Sequence, residues 1–188
     1  MTRTGFTLIE LIIVIAIIAI LATTVILVLN PAVILAEARD SQRIADLSQL
    51  NSALGLYLAT SGAILNGGAA DKCYVQQTSA AVAAKCGGRH EDATIGTING
   101  RDVDGGGWIP VDFTAISGGS PLSALPVDPT SSATLFYSYA TDAGSGFELN
   151  ADMESARYGS GGSDDVETDD GGNKAGIYEI GNSQGLGL

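Results

Sequence analysis

A single carboxylate stands inside an apolar run long enough to cross a membrane, and few folds tolerate that. After Met1-Thr2-Arg3-Thr4-Gly5 the chain reads Phe6-Thr7-Leu8-Ile9-Glu10. It then runs apolar from Leu11 to Leu29, interrupted only by Thr23 and Thr24. At about 1.5 Å per residue, a helix from Phe6 to Leu29 spans the roughly 30 Å of a bilayer's hydrocarbon. Glu10 then lies within the apolar zone, where an unpaired charge costs at least about 2.5 kcal/mol. The charge needs a partner. A favourable position near the positive end of a helix contributes only about 0.3–1 kcal/mol, too little to offset that burial.

The pattern does not read as a cleaved secretory signal. Such a peptide has an apolar core of about 7–15 residues followed by a small-residue cleavage site. Here the run is longer and is followed by Asn30-Pro31. The small residue suited to cleavage, Gly5, precedes the run. Cutting there removes a short polar leader and leaves a new amine on Phe6. In a helix that starts at Phe6, Glu10 is one turn away from that amine, which makes an N-terminal ammonium a candidate counter-charge.

Gly5-Phe6-Thr7-Leu8-Ile9-Glu10 followed by a long aliphatic stretch resembles the prepilin-type cleavage and methylation motif of type IV pilins and of type II secretion pseudopilins. The resemblance implies cutting between Gly5 and Phe6 by a membrane prepilin peptidase that also methylates Phe6. It implies that Glu10 is an assembly carboxylate and that partner subunits are identical or related chains in a helical filament. It further implies a precursor that crosses the cytoplasmic membrane once, and a filament at the cell surface or in the periplasm. The leader departs from the family pattern in holding one basic residue, Arg3. A plain signal-anchor helix accounts for the length of the run but not for Glu10.

Beyond the membrane segment the periodicity changes. Ile44, Leu47, Leu50, Leu54, Tyr57 and Leu58 recur every three or four residues, while Arg39, Asp40, Gln42, Arg43, Asp46 and Gln49 fall largely off that stripe. This predicts an amphipathic helix over residues 31–61, interrupted from the first helix at Pro31 and stopped near Gly62. If continuous, residues 6–61 would make a helix on the order of 80 Å long. Residues 62–188 read as one globular head. Ile64–Gly107 reads as a loop-rich connector, and the prolines among Trp108–Phe113 and Pro121–Pro129 exclude central strands there. Leu135–Ala140 and the alternation Phe147, Leu149, Ala151, Met153 predict a hairpin across Thr141–Gly146, with a third strand at Ile177–Ile180. The expected class is α+β: a long N-terminal helix packed on a small antiparallel sheet, as in pilins.

Chemistry is sparse. Nine Lys and Arg against 21 Asp and Glu give a formal charge of −12, which disfavours nucleic acid and anionic headgroups as ligands. H-E-x-x-H, the P-loop and G-x-G-x-x-G are absent, so the chain reads as a non-enzyme with no cofactor of that kind. His90, between Arg89 and Glu91 in a glycine-rich stretch, reads as a surface residue. Cys73 and Cys86 would pair in an oxidising compartment, contributing roughly 3 kcal/mol, or remain as free thiols. Asp164, Asp165, Glu167, Asp169 and Asp170 offer the hard oxygens that Ca²⁺ prefers, though not in EF-hand spacing. Resemblance to the major pseudopilins, which hold calcium in a C-terminal loop, points the same way. The other reading is a solvated acidic loop. Three functions remain open: a pilus subunit, a pseudopilin of a secretion or DNA-uptake machine, and a non-polymerising membrane-anchored binding module.

Overall fold

The computed structural model describes residues 5–61, 72–76, 85–90, 94–95, 100–142 and 145–182. The leader before Gly5, the expected stop at Gly62 and Glu91 lie outside them. The chain divides into two compact units, Met1–Ala36 and Glu37–Leu188. Helix α1 covers Leu8–Leu29 and helix α2 covers Pro31–Ser61. Asn30 adopts a left-handed conformation (φ 36°), and Pro31 opens α2, where its missing N–H would have no intrahelical partner in any case. The expected interruption is therefore present. The start differs from the expectation: α1 begins at Leu8, because Thr7 is an extended N-cap.

Among the described residues, five strands form one sheet in the order β2-β1-β3-β4-β5. They are β1 Lys72–Val75, β2 Thr94–Ile95, β3 Ser138–Thr141, β4 Phe147–Ala151 and β5 Tyr178–Gly181. The pairs β1–β3, β3–β4 and β4–β5 are antiparallel. Two-residue β2 joins β1 in parallel at the edge. The β3–β4 hairpin and β5 fall where the alternation placed them. Strand β1, next to the middle of the sheet, lies in the stretch read as connector.

The inner face of the sheet presents Tyr74, Tyr139, Leu149 and Ala151 to a core that contains Leu47, Leu50, Ala53 and Leu54 of α2. That is the predicted stripe, with Tyr57 and Leu58 packed at its margin. Trp108, Ile109, Val111 and Phe113 are buried in the same core, as are Leu122 and Leu125. The proline-rich stretches therefore supply anchors, not strands. Gly107 is needed at this crossing, since a Cβ there would collide with the Asp102 backbone and with Leu125.

The outer face is covered by the turn Lys85–Gly88 and by Arg89 and His90. Cys73 of β1 is disulfide-bonded to Cys86 of that turn, with Cα atoms 6.2 Å apart. Both pack with Val75, Phe136 and Ala140 in a second, smaller core. Arg89 lies over the Phe136 ring, 3.7 Å from its centroid, and donates to the carbonyls of Phe136, Thr134 and Asn150. His90 is not a surface residue: it is fully buried, because the disulfide draws its segment down onto the sheet. Burial first, then the nearby charges of Arg89 and Lys174, depress its pKa to about 3.

The largest departure from the helical pattern is a buried ion network on α2. Arg43 has no exposed side-chain surface, and neither have its partners Asp40 and Asp128. It donates to Asp128 (2.7 and 3.0 Å), to Asp40 (2.7 Å), to Thr130 (3.1 Å) and to the more exposed Glu154 (3.3 Å). Asp40 also accepts the backbone N–H groups of Glu154 and Ser155. Asp128 accepts those of Thr130 and Ser131. Burial opposes the charge on Arg43, but its hydrogen bonds to Asp128 and Asp40 outweigh it and raise the pKa.

Two outcomes follow from these environments. Arg43→Ala leaves two buried carboxylates uncompensated and should destabilise the head by about 3–5 kcal/mol, read as a lower urea midpoint of Trp108 fluorescence in the detergent-solubilised full chain. His90 has a folded pKa of about 3, below the unfolded value of about 6.5. The unfolded chain thus takes up a proton first, and stability declines as pH falls from about 6.5 towards 3. His90→Gln should flatten the urea midpoint across that window relative to the parent.

Candidate processing and assembly site

The N-terminal segment is built around Thr7. Its hydroxyl accepts the N–H of Glu10 (3.3 Å), while its own N–H (2.9 Å) and its hydroxyl (2.7 Å) donate to one oxygen of the Glu10 carboxylate. This reciprocal capping box satisfies orphan donors at the start of α1. It also gives the Glu10 carboxylate two donors inside its own chain. Sequence reasoning set Glu10 against the Phe6 amine and missed Thr7, although the spacing T-x-x-E states the box.

Gly5 and Phe6 precede the helix, and Phe6 is 82% exposed. A Cβ at Gly5 would meet nothing within 4 Å, so the Gly5–Phe6 bond stands clear of packed structure. Along α1 the large apolar side chains that are described are exposed, from Leu8 through Leu29. Leu8–Ile26 is long and apolar enough to cross a membrane.

Residues 1–26 match the family described as the prokaryotic N-terminal methylation motif. The chain carries the prepilin signature of type IV pilins and pseudopilins. No curated protein and no solved structure matches the chain. The prepilin motif includes Gly5, Phe6, Thr7 and Glu10, and the α+β arrangement behind it is pilin-like. One string in the chain, Gly181-Asn182-Ser183-Gln184-Gly185, has the G-x-S-x-G spacing of hydrolase nucleophiles. It starts at the last residue of β5, and Ser183 lies outside the described residues.

The acidic loop between β4 and β5 spends its carboxylates on its own backbone. Glu167 accepts the N–H groups of Met153 and Ser160, both at 2.8 Å, and burial raises its pKa. Asp165 accepts those of Gly161, Thr168 and Glu167, which holds its pKa at about 2. Asp170 accepts from Gly172 and Glu179, and Asp164 pairs with Arg157. Asp169 is exposed on the cleft that Asp165, Val166, Asp170 and Tyr178 also line. Among the described residues, no three His, Cys, Asp or Glu side chains gather as a metal-ligand group. Glu167, Asp165 and Asp170 thus act as turn-closing acceptors for the loop's own backbone.

Glu167→Ala leaves two backbone N–H groups without their acceptor and should lower stability by about 1–3 kcal/mol. Hydrogen exchange should accelerate first at Met153 and Ser160. Millimolar calcium should leave the melting temperature of the parent where EDTA leaves it, and a clear rise would show that the loop rearranges around a cation.

Proposed function

We propose that this chain is a type IV pilin-like structural subunit whose activity is polymerisation. The supporting observation is the prepilin motif on a helix whose described large apolar side chains are exposed from Leu8 to Leu29. Such a surface requires lipid or other apolar helices. In this reading a prepilin peptidase cuts between Gly5 and Phe6 and methylates the Phe6 amine. The α1 helix holds the precursor in the membrane, then packs with the same helix of neighbouring subunits. Those contacts are heterologous and do not close, so they generate a filament.

Glu10 has a specific part in that transfer. Among the described residues its carboxylate is held by Thr7. In the filament it pairs with a Phe6 amine, of a neighbouring subunit or of its own chain. A buried pair broken on one side costs about 3–5 kcal/mol. The heads form a wall that inherits the acidic balance of the chain, which keeps it soluble and disfavours nucleic acid as a partner. Short periplasmic assemblies in place of long surface fibres would favour the pseudopilin role over the pilus role.

The test is electron microscopy and immunoblotting of material sheared from native cells. Glu10→Ala and Glu10→Gln should accumulate folded, disulfide-bonded chain in the membrane with few filaments. Filament yield equal to the parent in Glu10→Ala would contradict the assignment.

A further inference from the structure

The outer face of the sheet holds a row of polar side chains that assembly does not use. Ser138, Asn150 and Glu179 are register partners across β3, β4 and β5, and Glu148 shares their face two residues before Asn150. All four are buried, beneath a His90 that is itself fully buried. His90 Nε2 lies 3.3 Å from the Ser138 hydroxyl, and Nδ1 lies 3.9 Å from Glu148 Oε1. Among the described residues Nδ1 has no hydrogen-bond partner, nor have the amide nitrogen and oxygen of Asn150, nor Glu179 Oε1. A buried orphan forfeits its hydration without replacement, and native structures rarely leave one without a water or an ion.

The kinds of atom decide what fits. In the tautomer that donates Nε2–H to Ser138, Nδ1 offers a lone pair towards Glu148. On the same sheet face, register places the Glu148 carboxylate and the Asn150 amide oxygen on one strand. The 3.9 Å between Nδ1 and Oε1 is too long for a hydrogen bond. Two ligands each about 2.1 Å from one ion stand roughly 3.4 Å apart at the tetrahedral angle, so a side-chain shift of about half an ångström lets both reach one ion.

We propose that this face is an internal site for one divalent transition-metal ion, held by His90 Nδ1 and the Glu148 carboxylate, with Asn150 Oδ1 as a third donor. Imidazole favours zinc, nickel or copper over calcium and magnesium. Ser138 is a positioning residue that fixes the ring through Nε2, and Glu179 adds negative charge one strand away. The ion joins the covering segment to β4, as the Cys73–Cys86 bond joins it to β1. The proposal does not depend on polymerisation.

The experiment uses the full chain in detergent, stripped with chelator and then dialysed against Zn²⁺ with millimolar calcium present to occupy surface carboxylates. One zinc per chain is expected, with a higher melting temperature by Trp108 fluorescence. Ser138→Ala should weaken binding by about 10–100-fold, the usual effect of losing a residue that orients a metal-bound histidine. His90→Gln should weaken it at least as much, while Asp165→Asn leaves it unchanged. Intact Cys73–Cys86 by peptide mapping and parent-like Trp108 emission keep each variant interpretable, and Ser138→Ala alone suffices should His90→Gln misfold. No zinc on the folded parent, or zinc binding indifferent to Ser138→Ala, would overturn the proposal.

Discussion

The head depends on a buried guanidinium. Arg43 is drawn out of water by its place on α2, and it is stable there only if carboxylates arrive from distant parts of the chain. Asp128 comes from the proline-braced stretch before β3, and Glu154 from just after β4. Asp40 sits one turn back on the helix and pins the backbone at Glu154 and Ser155. A charge so placed gives little net stability when complete and a large penalty when any partner is missing. It therefore fixes which loop meets which turn of the helix, a choice that apolar packing at Leu47, Leu50 and Leu54 leaves much less sharply defined.

A related problem governs the other unit. Glu10 is a carboxylate on an apolar helix, and the local answer is Thr7, which offers both an N–H and a hydroxyl. The difference between the two sites is informative. Arg43 is saturated with partners inside its own fold, so it serves architecture. Among the described residues Glu10 is held by Thr7, on a helix whose described large apolar side chains are exposed, so it keeps the capacity to exchange partners. That contrast is what the function proposed here requires.

Local patterns were legible in the sequence wherever a residue's environment is set by its near neighbours. The apolar run, the stripe through Leu54, the alternation at Phe147 to Ala151 and the Gly5–Glu10 motif all belong to that class. What escaped was fixed by distant partners. Asp40 and Arg43 read as helix surface because nothing adjacent to them announces Asp128. Strand β1 is four residues in a glycine- and alanine-rich stretch, and its strand character comes from pairing with β3. His90 read as exposed because its burial follows from the disulfide thirteen residues long in sequence separation. The acidic loop showed its carboxylates but not the backbone N–H groups they would meet. Thr7 is the exception, a local signal that the prominence of Glu10 obscured.

The account stands on the cut at Gly5, since everything said of Phe6 and Glu10 presumes it. Peptide mass spectrometry of the N-terminus of chain recovered from native membranes and from sheared fibres is the most direct measurement. The account predicts a first residue of Phe6 bearing one added methyl group on its amine. Recovery in both fractions of chain that begins only at Met1 or Thr2 would contradict it.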